Sequence, residues 1–358
     1  MQAPLASDPK QFSKVLRGRV NNYFTNSSDN SNYIKAIATA FLILITIIST
    51  YLTLLLIKLS FPVTITLLIF LSFTLVLSGT HILHEATHGN IFKTKKNNLY
   101  LAYFFEVMVC FSYQQYKMRH LKVHHRLTNR GQLDYDLNTN DLIRMSPNFK
   151  LKKGHKYQWL YFPFLYSIGI VFISHVEDYK RLISSKVGEL KHKKWSNKEI
   201  LFQVSLKILH IFIFLVLPCT LYPVLNVISC YFLVYALTSL GISFIFQVSH
   251  VNTKTYFPKA QKNQTQEDQL NSDNFIHQIK STVNYAPESK IILFLCGGVN
   301  LHIEHHLFPH IPYRELPNVR KIVKQTCKEY SIPYIEFDSY FSLLIDHIRF
   351  LKMNGNEN

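Results

Sequence analysis

The chain has 358 residues, 48% of them hydrophobic and 17% charged, with a formal net charge of +17 from 39 Lys and Arg against 22 Asp and Glu. The length allows two or three domains, but the apolar residues are gathered into long blocks and not spread as amphipathic faces, which excludes an ordinary soluble chain and points to a membrane protein. The basic excess fits the flanks of membrane segments better than nucleic-acid binding, since aromatic and basic residues interleave in no recognised nucleic-acid motif; it also suits anionic headgroups or an anionic substrate handle.

Residues 1–35 read as a cytosolic N-terminal segment carrying Lys10, Lys14, Arg17, Arg19 and Lys35. No signal peptide is expected, because this stretch is polar and the first apolar block is too long and lacks a small-residue cleavage site. Residues 36–80 read as a first transmembrane hairpin. Ala36 to Ile57 contains no charge, and after Lys58 a second block runs from Leu59 to Thr80; both reach the ~20 residues a spanning helix needs.

Residues 81–207 read as a cytosolic region. Within it Leu99 to Tyr113 is short for a span, and Trp159 to Ser174 is marginal and ends in His175, Glu177 and Asp178; both are expected as interfacial or protein-covered segments. Residues 208–249 form the second hairpin, with blocks Ile208 to Leu221 and Val224 to Val248 around Pro223. Residues 250–358 read as a cytosolic C-terminal region, with the polar stretch Asn252 to Asp273 as a loop. The hairpin turns carry only Lys58, whereas Lys93, Lys95, Lys96, Lys117, Arg119, Lys122, Arg126 and Arg130 follow the second block. The positive-inside rule then places both termini in the cytosol. Cys110, Cys219, Cys230, Cys296 and Cys327 form no CxxC pair and read as packing residues in a reducing setting.

Three histidine clusters hold eight of the 17 histidines: HEATH at 84–88, HLKVHH at 120–125 and HIEHH at 302–306. Residues three and four apart share a helix face, so His84 with His88, His120 with His124, and His302 with His305 and His306 can each aim at one point. Imidazole suits zinc, copper, iron and nickel. Eight such ligands exceed the four of a structural zinc site, so two metals would use them. The second apolar block runs into His81, His84 and His88 and the fourth into His250, which sets these residues just past the membrane surface. The expected fold is therefore an all-α integral membrane protein: four transmembrane helices in two hairpins, with a cytosolic helical cap holding a di-metal site. Glu85 and Glu304 either orient imidazoles or lie on a solvated face. His81 is a supporting or a structural residue, and His277 and His310 are read as structural. Lys117, Arg119, Lys122, Arg126 and Arg130 either hold coenzyme A phosphates or are ordinary positive-inside charge. A membrane metal transporter or sensor is the reading from another class; the near absence of charge and histidine at mid-membrane depth argues against it.

HEATH, HLKVHH and HIEHHLFP resemble the three histidine boxes of the membrane fatty acid desaturases. The stretches HKYQWLYFPFLYS, FQVSHV and HQIKSTVNYA, the last leading to GGVNLHIEHHLFPHIP, are similar to the front-end and linoleoyl-type acyl desaturases, and the likeness runs roughly from Phe12 to Tyr340. The resemblance implies a di-iron enzyme that uses dioxygen and two electrons to remove two hydrogens from adjacent methylenes of an acyl-CoA or acyl-lipid, leaving a cis double bond. It implies His84 and His88, then His120, His124 and His125, then His302, His305 and His306 as iron ligands, with His250 as a ninth. Front-end relatives usually have glutamine where this chain has His302. Many also carry a fused cytochrome b5 domain with an HPGG motif, which does not occur in this sequence, so the expected donor is a separate cytochrome b5 or ferredoxin. Some relatives place asparagine four residues before the isolated histidine, where this chain has Phe246 followed by Gln247. The same scaffold also supports hydroxylation of an acyl chain or ketolation of a carotenoid.

Overall fold

A computed structural model describes residues 8–25, 31–184, 186–187, 190–191, 194–259 and 274–356. The stretch 260–273 of the expected loop, like 1–7 and 26–30 of the N-terminal segment, lies outside the described residues. In chain order the main helices are α1 (Pro9–Thr25), α2 (Asn32–Leu56), α3 (Phe61–His88), α4 (Lys95–Val109), α5 (Lys153–Ile183), α6 (Asn197–Cys219), α7 (Val224–Ser249), α8 (Asn274–Ser281), α9 (His302–Leu307), α10 (Leu316–Glu329) and α11 (Tyr340–Asn354). Strands among the described residues are two-residue pieces: β1 (Lys186–Val187) antiparallel to β2 (Leu190–Lys191), and β3 (Asn284–Tyr285) parallel to β4 (Glu336–Phe337).

Among the described residues five helices are long and apolar enough to cross a membrane: α2, α3, α5, α6 and α7. Four of them contain the four expected apolar blocks almost entirely. The third begins earlier than hydropathy suggests, because Ser196 and Glu199 form a capping box: Ser196 Oγ accepts from Glu199 N at 3.3 Å and Glu199 Oε2 from Ser196 N at 2.7 Å. The fifth is longer than the marginal apolar stretch suggests. Trp159 to Ser174 lies inside the 31-residue α5, because a 3₁₀ turn over Lys153–Tyr157 and a π turn over Ile173–Glu177 carry the helix through flanking polar residues that a hydropathy count omits. Leu99 to Tyr113 overlaps the 15-residue α4, which ends where Cys110 turns left-handed (φ 57°).

The chain forms two compact units. One comprises Tyr33–Met118 and Phe162–Phe244. In it α3 and α7 approach closely at two glycines: a Cβ on Gly79 would lie 2.6 Å from Ile242 Cδ1, and one on Gly241 would lie 2.7 Å from Val76 Cγ2. Small residues at such crossings let backbones pack where lipid supplies no hydrophobic drive. A polar staple joins α6 to the ends of α4 and α5. The buried Lys207 ammonium donates to Cys110 O (2.7 Å), Ser174 O (2.8 Å) and Asp178 Oδ2 (3.0 Å), which uses all its protons.

The other unit comprises Met1–Asn32, Arg119–Tyr161 and Ile245–Asn358. Phe12, Leu16 and Val20 of α1 belong to one apolar core with Val319, Val323 and Cys327 of α10, and Arg19 pairs with Glu329 at 2.7 Å. The C-terminal α11 is tied down at both ends. Ser339 caps its start, and the Arg144 guanidinium donates to Asn354 O (2.6 Å) and Pro147 O (2.8 Å). His347 Nδ1 donates to Val251 O at 2.5 Å, which pins the backbone next to His250.

Candidate metal centre

Box 1 lies at the end of α3, where a π turn over Gly79–His84 gives way to Glu85–His88. Gly89, at φ 82°, takes the left-handed conformation that stops the helix. The rings of His84 and His88, four residues apart, stand edge to face with centroids 4.9 Å apart, as the spacing requires. His81 and His84 are buried, and Glu85 Oε1 lies 3.8 Å from His84 Nδ1.

The other seven predicted ligands come together in the second unit, in two groups that cut across the boxes. Box 2 sits on a π turn over Met118–His124. A π turn bonds residue i to i+5, and His120 and His125, five apart, bring their Nε2 atoms within 3.1 Å. His124 points elsewhere: its Nε2 is 3.1 Å from His250 Nε2, which in turn is 2.7 Å from His302 Nε2. His306, one turn of α9 after His302, completes a set of four buried imidazoles whose ligand nitrogens all lie within 4.8 Å of one another. His305 is not one of these four; its ring lies 4.9 Å from that of His125 and 6.1 Å from that of His120, and 5.6 and 5.7 Å from those of His302 and His306. The expectation that each box aims at one point therefore holds for His84 with His88 and for His302 with His306, and His120 and His124 also meet beside Asp136 within 4.8 Å, while His305 leaves its box partners. The π turn changes the angular spacing of box 2, and His305 and His306, as neighbours, project to different sides of α9.

The proton inventory of the four-imidazole set fits a metal cation. His124 Nδ1 lies 3.2 and 3.3 Å from the Asp134 carboxylate oxygens, and His250 Nδ1 lies 3.3 Å from the Ser281 carbonyl. Both partners only accept, so each Nδ1 carries a proton and Nε2 is the nitrogen left to take a metal. His306 Nδ1 is 2.8 Å from Gln278 Oε1, and His306 Nε2 is buried with no hydrogen-bond partner among the described residues. Burial, then the adjoining imidazoles, push His250 and His306 well below the usual imidazole pKa, so protonation does not relieve the crowding. Burial also opposes charge on His124, but Asp134 and Asp136 outweigh it and raise its pKa; the same carboxylates favour a metal at Nε2. An all-imidazole set of this kind suits the transition metals that bind neutral histidine.

The supporting residues were not legible as motifs. Asp134 is held by the backbone N–H groups of Asn129 (2.9 Å) and Asp136 (3.1 Å), and Asn129, at φ 57°, reaches back to His250 O at 3.0 Å. Glu304, inside box 3, supports no ring through its carboxylate: it is buried and accepts from Asn284 (2.8 Å) and Tyr334 (2.8 Å). Burial raises its pKa to about 7 against the lowering effect of those bonds. Gln247 donates to Asp136 O at 3.3 Å, and the Phe246 ring lies 6.5 Å from that of His302. His277 donates to Thr128 O at 2.7 Å, the structural role expected of it. Of the basic cluster, Arg119 is committed to Asp136 at 3.0 Å.

The family model for fatty acid desaturases matches residues 58–338. The chain is a member of the fatty acid desaturase family. Along its full length the desaturase is 28% identical to the probable Delta(5) fatty acid desaturase C of Dictyostelium discoideum, covering 79% of that protein. It is 25% identical over 99% of its length to an acyl-lipid (8-3)-desaturase of Mortierella alpina, of which 80% is covered. Against the sn-1 linoleoyl-lipid 6-desaturase of Synechocystis sp. the identity is 25%, covering 96% of this chain and 95% of the relative. The enzyme is thus an oxidoreductase.

Proposed function

We propose that this desaturase holds two irons with nine imidazoles, His84, His88, His120, His124, His125, His250, His302, His305 and His306, and introduces a cis double bond into the acyl chain of a membrane lipid. The observation that carries the reading is the inward convergence of His124, His250, His302 and His306 within 4.8 Å. His120, His125 and His305 supply a second set, to which His84 and His88 are added on the family's box pattern. When bound, the irons supply oxidising power from dioxygen and two electrons, drawn from cytochrome b5 or ferredoxin. The chain's own contribution is to fix the rings and keep water out: Asp134, Ser281 and Gln278 hold Nδ1 protons, and the imidazoles of the four-ring set are all buried. The relatives named as acyl-lipid enzymes support a lipid-bound acyl substrate, as does the engagement of Arg119 by Asp136 in place of a phosphate.

Chain parity supports four spans with the segment division given above. His124 precedes α5, whereas His250, His302 and His306 follow α7, yet all four meet, so an even number of crossings lies between them. The turn at 220–223 makes α6 and α7 a hairpin, which leaves α5 as a helix that does not cross. Its exposed residues Leu160, Phe164, Ile168, Phe172 and Val176 are apolar, which suits contact with the hydrocarbon of the bilayer. Orientation with the metal site in the cytosol follows from the basic flanks.

Expression in a host fed defined fatty acids, with double bonds mapped by mass spectrometry, tests the reading. The expected product has lost two hydrogens and appears first in phospholipid. A product that has gained oxygen would replace desaturation with hydroxylation, and first appearance in the acyl-CoA pool would exclude the lipid-bound substrate.

A further inference from the structure

Gln278, on α8, touches both histidine groups at once. Its side chain is buried, and Nε2 donates to the backbone carbonyl of His125 at 2.8 Å. Its Oε1 lies 2.8 Å from His306 Nδ1 and 2.9 Å from Thr128 Oγ1, whose one proton is shared between that oxygen and His124 O at 2.6 Å. The His125 carbonyl can only accept, so it fixes which way the amide points. With the amide NH₂ turned to His125, only the carbonyl oxygen is left to face His306. That oxygen can only accept, so His306 must carry its proton on Nδ1 and present the Nε2 lone pair to the inward-facing set.

We propose that Gln278 is a positioning residue that sets the tautomer of His306 from the backbone of box 2, and so locks box 3 to box 2. The inference rests on the two-metal reading above. It deepens that reading by assigning to a neutral amide the task that Asp134 performs for His124 and the Ser281 carbonyl performs for His250. The choice of an amide has a chemical reason. A carboxylate at 278 could accept from His306 but would set an anion against the His125 carbonyl oxygen, whereas an amide serves both. Residues that orient metal-bound histidines typically change metal affinity about 10- to 100-fold when removed.

The test uses the full-length enzyme in detergent or nanodiscs, measuring iron per chain against chelator concentration together with the Mössbauer spectrum, for wild type, Gln278→Leu and Gln278→Glu. The wild type should carry two irons. Gln278→Leu, which keeps the volume and loses both hydrogen bonds, should release one iron at roughly 10- to 100-fold lower chelator concentration, with one of two Mössbauer components altered. Gln278→Glu, which restores an acceptor for His306 but sets a carboxylate against the His125 carbonyl, should recover part of that retention. If Gln278→Leu holds both irons with an unchanged spectrum, the proposal is wrong. Equal loss in both variants would reduce Gln278 to a packing residue and likewise overturn it. Should Gln278→Leu fail to fold, judged by gel filtration, Gln278→Met takes its place with the same outcomes. A wild type with no bound iron would instead sink the two-metal reading itself, so the two failures are distinguishable.

Discussion

A neutral imidazole has one proton and one lone pair, so whatever touches one ring nitrogen decides what the other can bind. In this desaturase acceptors outside the histidine boxes make that decision: a carboxylate at Asp134, a carbonyl at Ser281 and an amide at Gln278. Box residues therefore tolerate replacement poorly even where they make few other contacts. His305→Ala is expected to abolish the desaturated product and lower bound iron while leaving the protein in the membrane fraction, because α2, α3, α6 and α7 bury their apolar faces without the metal. Fatty-acid profiles and metal content of isolated membranes check this, and full activity would remove His305 from the ligand set. The residues that bear chemistry were readable as types and spacings. Asp134 and Gln278 were not, because nothing local marks an aspartate ten residues from His124 or a glutamine on another helix as its partner.

At the level of elements, helix irregularity does the sorting. The π turn at Met118–His124 brings His120 to His125 and releases His124 to its own set, a distribution that an ideal 3.6-residue helix would not give. In the other unit the Lys207 staple fixes where α4, α5 and α6 meet. Its ion pair with Asp178 is buried on both sides. Lys207→Met should therefore destabilise the detergent-solubilised enzyme by about 3–5 kcal/mol, since Asp178 loses its counter-ion in a low-dielectric site, and Lys207→Met with Asp178→Leu should recover most of the loss. Thermal unfolding of the single and double variants decides; an equally unstable double variant would mean that the hydrogen bonds to Cys110 and Ser174, with the one Asp178 accepts from Ser112 N, carry the effect and not the ion pair. Hydropathy could not show this staple, because a lone lysine in an apolar run reads as an interruption until its three acceptors are located.

At the scale of the whole molecule, parity makes a topological prediction. With α5 along the bilayer, the segment before α6 lies on the same side as the metal site, while the turn after it lies opposite. A cysteine placed at the exposed Lys194 should react with an impermeant maleimide from the cytosolic side, and one at the exposed Leu221 only from the other side. Protection of Lys194→Cys from cytosolic reagent would mean that α5 crosses. The sequence by itself determined which side chains are available to bind metal and which segments are apolar enough for a membrane, because residue chemistry and hydropathy are properties of short stretches. Only the tertiary structure decided how the boxes divide into groups, which nitrogen of each ring turns inward, and that α5 is helical far beyond its apolar centre. Those outcomes depend on contacts such as His124 with His250 or Gln278 with His125, between residues more than a hundred positions apart, and no local pattern encodes them.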